Sequence, residues 1–315
     1  MRCSLLLLMK LGVVVAAPLA AQDRVARADA LLRAGRLSAA ESEYYAAVRL
    51  APRDPSARLA LGKYLAARGA LKVGAVLMEE ARFFGGDPKT VAEHLAPVYG
   101  RLGAYDSLLT LPSSPLSATE RARARWLRDN PTVVAGPETA TLRYRPSEAG
   151  TLGRVTLTIG GDSVEATIDP RAEGLTLDTA WARRRSITSF AAEGERNTRR
   201  RIGVATVDFG ALTVRNAPVR FAPQRGARRA VVGIDVLGAL APTFDPRAGA
   251  LTLRRSGKVE ESLQGVRAAT LLLPDGLWMV RGRSIVALGS PDSHLVLRDS
   301  RWTYNARRGE IIVAK

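Results

Sequence analysis

The sequence predicts an α+β multidomain protein: an N-terminal all-α array of helical repeats, then an all-β domain carrying an extra β tail. Two observations predict it. Gly35, Gly69 and Gly103 recur every 34 residues within a stretch rich in Ala, Leu and Arg. Near residue 141 the apolar pattern changes from helical to alternating, the period of half-buried strands. Neither pattern extends over the first twenty residues, which read differently.

Those residues predict a secretory signal over 1–21. Arg2 supplies a positive start, an apolar run follows to Ala17, broken near Met9 and Lys10, and Pro18-Leu19-Ala20-Ala21 places small residues at a cleavage point. The run is too short to span a bilayer comfortably. Export to a bacterial periplasm or cell envelope is the expectation. Cys3, the single cysteine, lies inside this segment, so a processed chain has no disulfide, thiol nucleophile or thiolate metal site. Two histidines, His94 and His294, are too few for a zinc site. No metal and no cofactor are therefore expected.

The formal net charge is +17, almost all of it arginine. Clusters occur at Arg183-Arg184-Arg185, at Arg199-Arg200-Arg201 and between Arg225 and Arg229. None is interleaved with aromatic residues, which total 5% of the chain, as a single-strand binder requires. No specific nucleic-acid partner is expected. A solvated face, or electrostatic contact with an anionic envelope surface, accounts for the charge more economically.

The helical region spans 22–130. Asp54-Pro55 and Asp87-Pro88 punctuate it: aspartate caps a helix N-terminus and proline suits the first helical position. The recurring glycines suit tight turns between helices. A 34-residue period with two helices per unit resembles the tetratricopeptide repeat, and Ala40 to Pro55, with Tyr44, Ala47, Val48, Leu50 and Pro52, is similar to that family's second helix and exit. The resemblance implies a groove for a peptide or protein ligand. The alternative is a packing platform for the next domain. Residues 118–128 read as a capping helix, and 131–140 as a linker.

The β domain spans 141–256. Arg154 to Ile159 and Val164 to Asp169 flank a Gly160-Gly161 turn. Leu175 to Leu177 follows, then a helical phrase from Asp178 to Arg185, and strands over 201–208, 212–215 and 218–221. The domain closes on Val231-Val232-Gly233-Ile234-Asp235-Val236-Leu237 and a hairpin through Phe244-Asp245-Pro246-Arg247-Ala248-Gly249. This order, and its last phrase above all, resembles the retropepsin-like aspartic peptidases over about 115 residues. The resemblance implies an all-β acid-protease barrel. It places the catalytic aspartate at Asp169, in a dyad of carboxylates sharing one proton.

The motif departs from the family at that point. In place of Asp-Thr-Gly stands Asp169-Pro170-Arg171. Proline brings neither hydroxyl nor backbone donor, and arginine lacks the freedom of glycine. Asp178-Thr179-Ala180 lies nine residues later and reads as a helix N-cap, not a catalytic acid. One lobe also supplies one aspartate, so activity would require a homodimer or a second lobe.

The tail, 257–315, reads as strands at 269–273, 277–280, 284–288 and 294–297. Thr303-Tyr304-Asn305 to Ile311 echoes Thr243-Phe244-Asp245 to Leu251, so the tail is expected either as a reduced second lobe or as strands covering a sheet edge. Asp299-Ser300-Arg301 lacks the glycine and reads as a turn. The expected function is an exported pseudo-enzyme that binds peptide or protein through the helical groove or the peptidase-like cleft, with Asp169 a vestige. The alternatives are an active aspartic endopeptidase using Asp169, and a basic surface-tethered envelope protein.

Overall fold

The computed structural model describes residues 3–147, 150–185, 187–190, 201–224, 229–259, 264–282, 284–297 and 299–314. The chain divides into two compact units. The first is Met1–Leu102 with Thr110–Pro115 and Arg281–Ile285; the second is Gly103–Leu109, Leu116–Val280 and Val286–Lys315.

The first unit contains α1 (Cys3–Arg33), α2 (Leu37–Leu50), α3 (Pro55–Ala67), α4 (Leu71–Phe83) and α5 (Pro88–Leu102). The periodic glycines end helices: Gly35, Gly69 and Gly103 have φ of 72°, 88° and 67°, where a side chain is strained. Asp54 caps α3 by accepting from Ser56 N at 3.0 Å, with Pro55 at the first helical position. Small residues bring α3 and α4 together. A Cβ on Gly62 would lie 2.9 Å from Gly74 O, and one on Gly74 would lie 2.7 Å from Gly62 O. Three buried tyrosines tie neighbouring helices through their hydroxyls. Tyr44 donates to Asp29 (2.5 Å), Tyr64 to Glu41 (3.0 Å) and Tyr99 to Glu79 (2.6 Å). The expected helical array is thus present as a series of helices with the predicted breaks. No helix among the described residues is long and apolar enough to cross a membrane.

The second unit begins with α6 (Tyr105–Thr110) and α7 (Ala118–Asp129), which starts on a capping box between Ser117 and Glu120. So α7 belongs with the β unit. The span 131–140, expected as a linker, holds β1 (Val133–Ala135) and the start of β2 (Thr139–Pro146), and β1 pairs with β8 (Leu212–Ala222). The remaining elements of this half are β3 (Gly153–Ile159), β4 (Asp162–Asp169), β5 (Leu175–Asp178), α8 (Thr179–Arg184), β6 (Ser189–Phe190), β7 (Arg201–Phe209), β9 (Ala230–Gly233), α9 (Ile234–Gly238), β10 (Thr243–Asp245) and β11 (Ala250–Arg254). Strands pair around a closed ring in the order β3, β4, β9, β5, β8, β7, with β7 returning to β3. Alternation explains the closure: Val155, Leu157 and Ile159 of β3 point inward, as do Leu175 and Leu177 of β5 and Val207 and Phe209 of β7. The segments 212–215 and 218–221 form one strand, β8, in which Asn216 takes φ 58° and disguises the continuity.

The tail contributes β12 (Val266–Leu273), β13 (Gly276–Arg281), β14 (Ser284–Ala287), α10 (Pro291–Leu297), β15 (Trp302–Asn305) and β16 (Glu310–Val313). One expectation is corrected here. The segment 294–297 is helical, because Ser290-Pro291 starts a helix: Ser293 N bonds to Ser290 O at 3.1 Å and proline sits at the first turn. The Asp299-Ser300 step is a turn, as expected. Phe244 lies at the centre of this side of the unit, stacked on Trp302 at 4.1 Å and edge-on to Tyr144 at 5.4 Å.

Of the arginine clusters, Arg185 pairs with Asp162. Arg199, Arg200, Arg225 and Arg228 lie outside the described residues. His94 is half-buried, and burial followed by nearby Lys63 pulls its pKa down.

Candidate functional site

Asp169 is the last residue of β4, and the parallel pairing of β4 with β9 sets it opposite Gly233. A side chain at Gly233 would collide with Ala172 O and Asp235 Oδ1, so only glycine lets the two strand ends approach. The chain beyond Asp169 turns back sharply: Ala172 N donates to Asp169 O at 3.2 Å, and Gly233 N donates to Gly174 O at 2.7 Å. Asp235, in the first turn of α9, holds the same loop. Its two carboxylate oxygens accept from Gly174 N at 3.1 and 3.0 Å.

The Asp169 carboxylate faces an arginine. Oδ1 accepts from Arg171 N at 2.9 Å and from Arg171 Nε at 3.4 Å. The guanidinium continues to Gly150 O at 2.9 Å through Nη2. Asp169 is 24% exposed and Arg171 56%. This is a local clasp in which a backbone N–H and a cation occupy one carboxylate oxygen. Among the described residues no carboxylate bonds to Asp169. Pro170, which cannot donate, instead accepts: Leu277 N bonds to Pro170 O at 3.0 Å. The tail therefore lies against the Asp169 loop, with Gly276 close enough that a Cβ there would meet Pro170 O at 2.8 Å.

Asp178 does something else. It caps α8, accepting from Trp181 N at 2.8 Å, and also takes Gln224 N at 3.1 Å. Burial pushes its carboxyl up, but the N–H groups of Trp181 and Gln224, with Arg229 and Arg184, outweigh it and hold the pKa below the usual value. A group so held is a structural anion rather than a proton donor. Asp178→Ala should cost about 1–2 kcal/mol at neutral pH. A depressed folded pKa contributes stability above the unfolded value of about 3.9 and loses it as pH falls through the folded value. The difference between wild type and variant in urea unfolding should therefore shrink in acid; a difference that persists there would mean that the charge is not its source.

The sequence placed Asp169 and Asp178 on their elements, and the structure keeps them in separate roles. It did not assign Asp235, whose signal was present in the Gly233-x-Asp235 phrase, nor the glycines of the tail. No group of His, Cys, Asp or Glu that could hold a metal ion occurs among the described residues.

No family model matches the chain. No curated protein matches it. Among solved structures it is similar to a retropepsin-like aspartic protease from Rickettsia conorii, at 12% identity and a TM-score of 0.26, covering 39% of this chain and 92% of that one. It is also similar to the retroviral protease-like domain of Ddi1 from Leishmania major, at 17% identity and a TM-score of 0.25, covering 34% of this chain and 90% of that one.

Proposed function

We propose that the β unit is a non-catalytic derivative of an aspartic-peptidase cleft, and that this exported protein works in the cell envelope by binding peptide or protein. One observation carries the reading: the Asp169 carboxylate is engaged by Arg171. Aspartic catalysis depends on two carboxyl groups sharing a proton, so that one takes a proton from water while the other donates. Guanidinium is a donor without a proton to exchange at any ordinary pH. With both hydrogen bonds to Oδ1 coming from Arg171, Asp169 has the surroundings of a structural ion pair. Binding needs less than catalysis does: an open strand edge holds an extended chain through its backbone. The sheet path ends at β6, a two-residue strand, and at β14. The helical array offers a second surface for a peptide.

A mixed peptide library incubated with the full chain from acid to neutral pH, beside Asp169→Ala, tests this. The expected result is no cleavage by either protein, together with retention of a subset of the peptides on the immobilised chain. Cleavage that disappears in Asp169→Ala would establish an endopeptidase and remove the proposal.

A further inference from the structure

We infer that the tail is a shortened copy of the barrel's own framework, seated on the face by which one such lobe would pair with another, and that the copy sets Gly289 as the counterpart of Asp169. The bearing on function rests on the non-catalytic reading; the geometry does not.

The two hairpins that echo each other in sequence are built alike. In β10–β11, Asp245 Oδ1 accepts from Ala248 N at 3.0 Å and Gly249 has φ 60°. In β15–β16, Asn305 Oδ1 accepts from Arg308 N at 3.3 Å and Gly309 has φ 55°. They meet edge to edge and antiparallel, with Thr243 opposite Thr303. These are equivalent residues, 60 apart in sequence, and their hydroxyls stand 2.8 Å from each other. A residue facing its own equivalent marks a local two-fold axis, the sign of a self-complementary contact.

The correspondence continues outward in register. On one side Ala250, Leu251, Thr252 and Leu253 face Arg143, Leu142, Thr141 and Ala140. On the other, Glu310, Ile311, Ile312 and Val313 face Ala269, Ala268, Arg267 and Val266. So β12 stands where β2 stands. The next strands agree: Pro146 pairs with Gly153, and Leu272 with Leu277. Gly153 then pairs with Ile168, while Leu288 N donates to Leu277 O at 2.8 Å. Leu288 therefore takes the place of Ile168, and Gly289 that of Asp169. Ahead of its hairpin each half has a short helix whose buried leucine, Leu237 or Leu297, precedes the hairpin by the same interval. The copy lacks counterparts of β5 to β9.

A carboxylate-bearing residue in place of Gly289 would be both strained and crowded. The φ of Gly289 is +86°, and a Cβ there would lie 3.0 Å from Pro170 Cγ and 3.3 Å from Gly150 O. The two equivalent loops thus meet, one bringing Asp169-Pro170 and the other a bare backbone. The partner of this face is the chain's own tail, and it arrives without the second acid.

Two measurements test the inference, and neither reads peptide binding or cleavage. In a Cys3→Ser background, which removes the single cysteine, Thr243→Cys with Thr303→Cys should oxidise within one chain, since residues directly opposite on antiparallel strands lie within disulfide reach. Each single variant should stay free of disulfide-linked dimers. Linked dimers, or failure of the double variant to oxidise, would overturn the seam. Separately, Gly289→Ala and Pro170→Ala should be non-additive, the pair differing from the product of the singles by about twofold or more in the unfolding constant. Additive effects would show that the two loops do not meet, and the assignment of Gly289 would fall.

Discussion

Phe244→Ala should destabilise the β unit by about 3–5 kcal/mol, the range for emptying an aromatic site in a packed core. Phe244 is fully buried. Its ring also touches both sides of the seam: it stacks on Trp302 with an interplanar angle of 15° and meets Tyr144 at 70°. Its backbone lies between Leu251 on one side and Trp302 on the other. Removing it leaves a cavity that neither rigid ring can fill by a rotamer change. Phe244→Leu should cost clearly less, because most of the volume is kept. Urea unfolding followed by tryptophan fluorescence separates the two. Equal, small losses would mean that the tail is loosely held and that Phe244 is not central to it.

Alkali should dismantle the helical unit. Tyr44, Tyr64 and Tyr99 are buried at 2%, 3% and 9% exposure. Burial comes first in raising the pKa of all three, and the acidic neighbours Asp29, Glu41 and Glu79 add to it. In the unfolded chain tyrosine ionises near pH 10. A folded pKa above that value contributes stability that is complete below pH 10 and is lost as pH rises towards the folded value. Each tyrosine then costs about 1.4 kcal/mol per pH unit, and three together about 4 kcal/mol per unit. Two such units come to about 8 kcal/mol, comparable to the whole of the roughly 5–15 kcal/mol that keeps a typical domain folded. In the β unit Tyr144, which donates to Leu152 O, and Tyr105 are shifted the same way by burial. The far-UV helix signal should fall steeply above pH 10, and Tyr44→Phe with Tyr99→Phe should move the midpoint upward. Tyrosinate absorbance that develops fully near pH 10 while the helix signal stays intact would contradict this.

How far the sequence carried depended on whether a feature was local. The ends of α2 to α5 were legible because a glycine at positive φ or an Asp-Pro pair acts within a few residues. The strands β3 and β4 were legible because Val155, Leu157 and Ile159 alternate cleanly with polar neighbours. The phrase around Gly233 showed where α9 would sit. What stayed hidden was set by partners distant in sequence. Val133–Ala135 looks like linker until β8 is beside it, and α7 reads as the last helix of the array until it is seen in the β unit. The segment 294–297 reads as a strand because Leu295, Val296 and Leu297 are strand-like residues, while the deciding feature, Ser290-Pro291, is a start signal. Arg171 was legible as a disturbance to Asp169. Gly289 was not legible at all, since a glycine between turns has no pattern, and its position gains meaning only when the strand pairings are laid over one another.

The pairing of β11 with β2 also sets an order of events during synthesis. Leu251 faces Leu142, more than a hundred residues earlier in the chain, and Thr303 must still arrive to cover β10. The helices of the first unit close through neighbours in sequence and can form as they emerge. β2 instead waits with an unpaired edge while most of the barrel is made. Loop closure over such distances is slow, and open edges invite pairing with other chains. Arg143 and Arg145 on β2, both exposed, put charge beside that edge, and charge of this kind disfavours pairing with another chain while the edge is open.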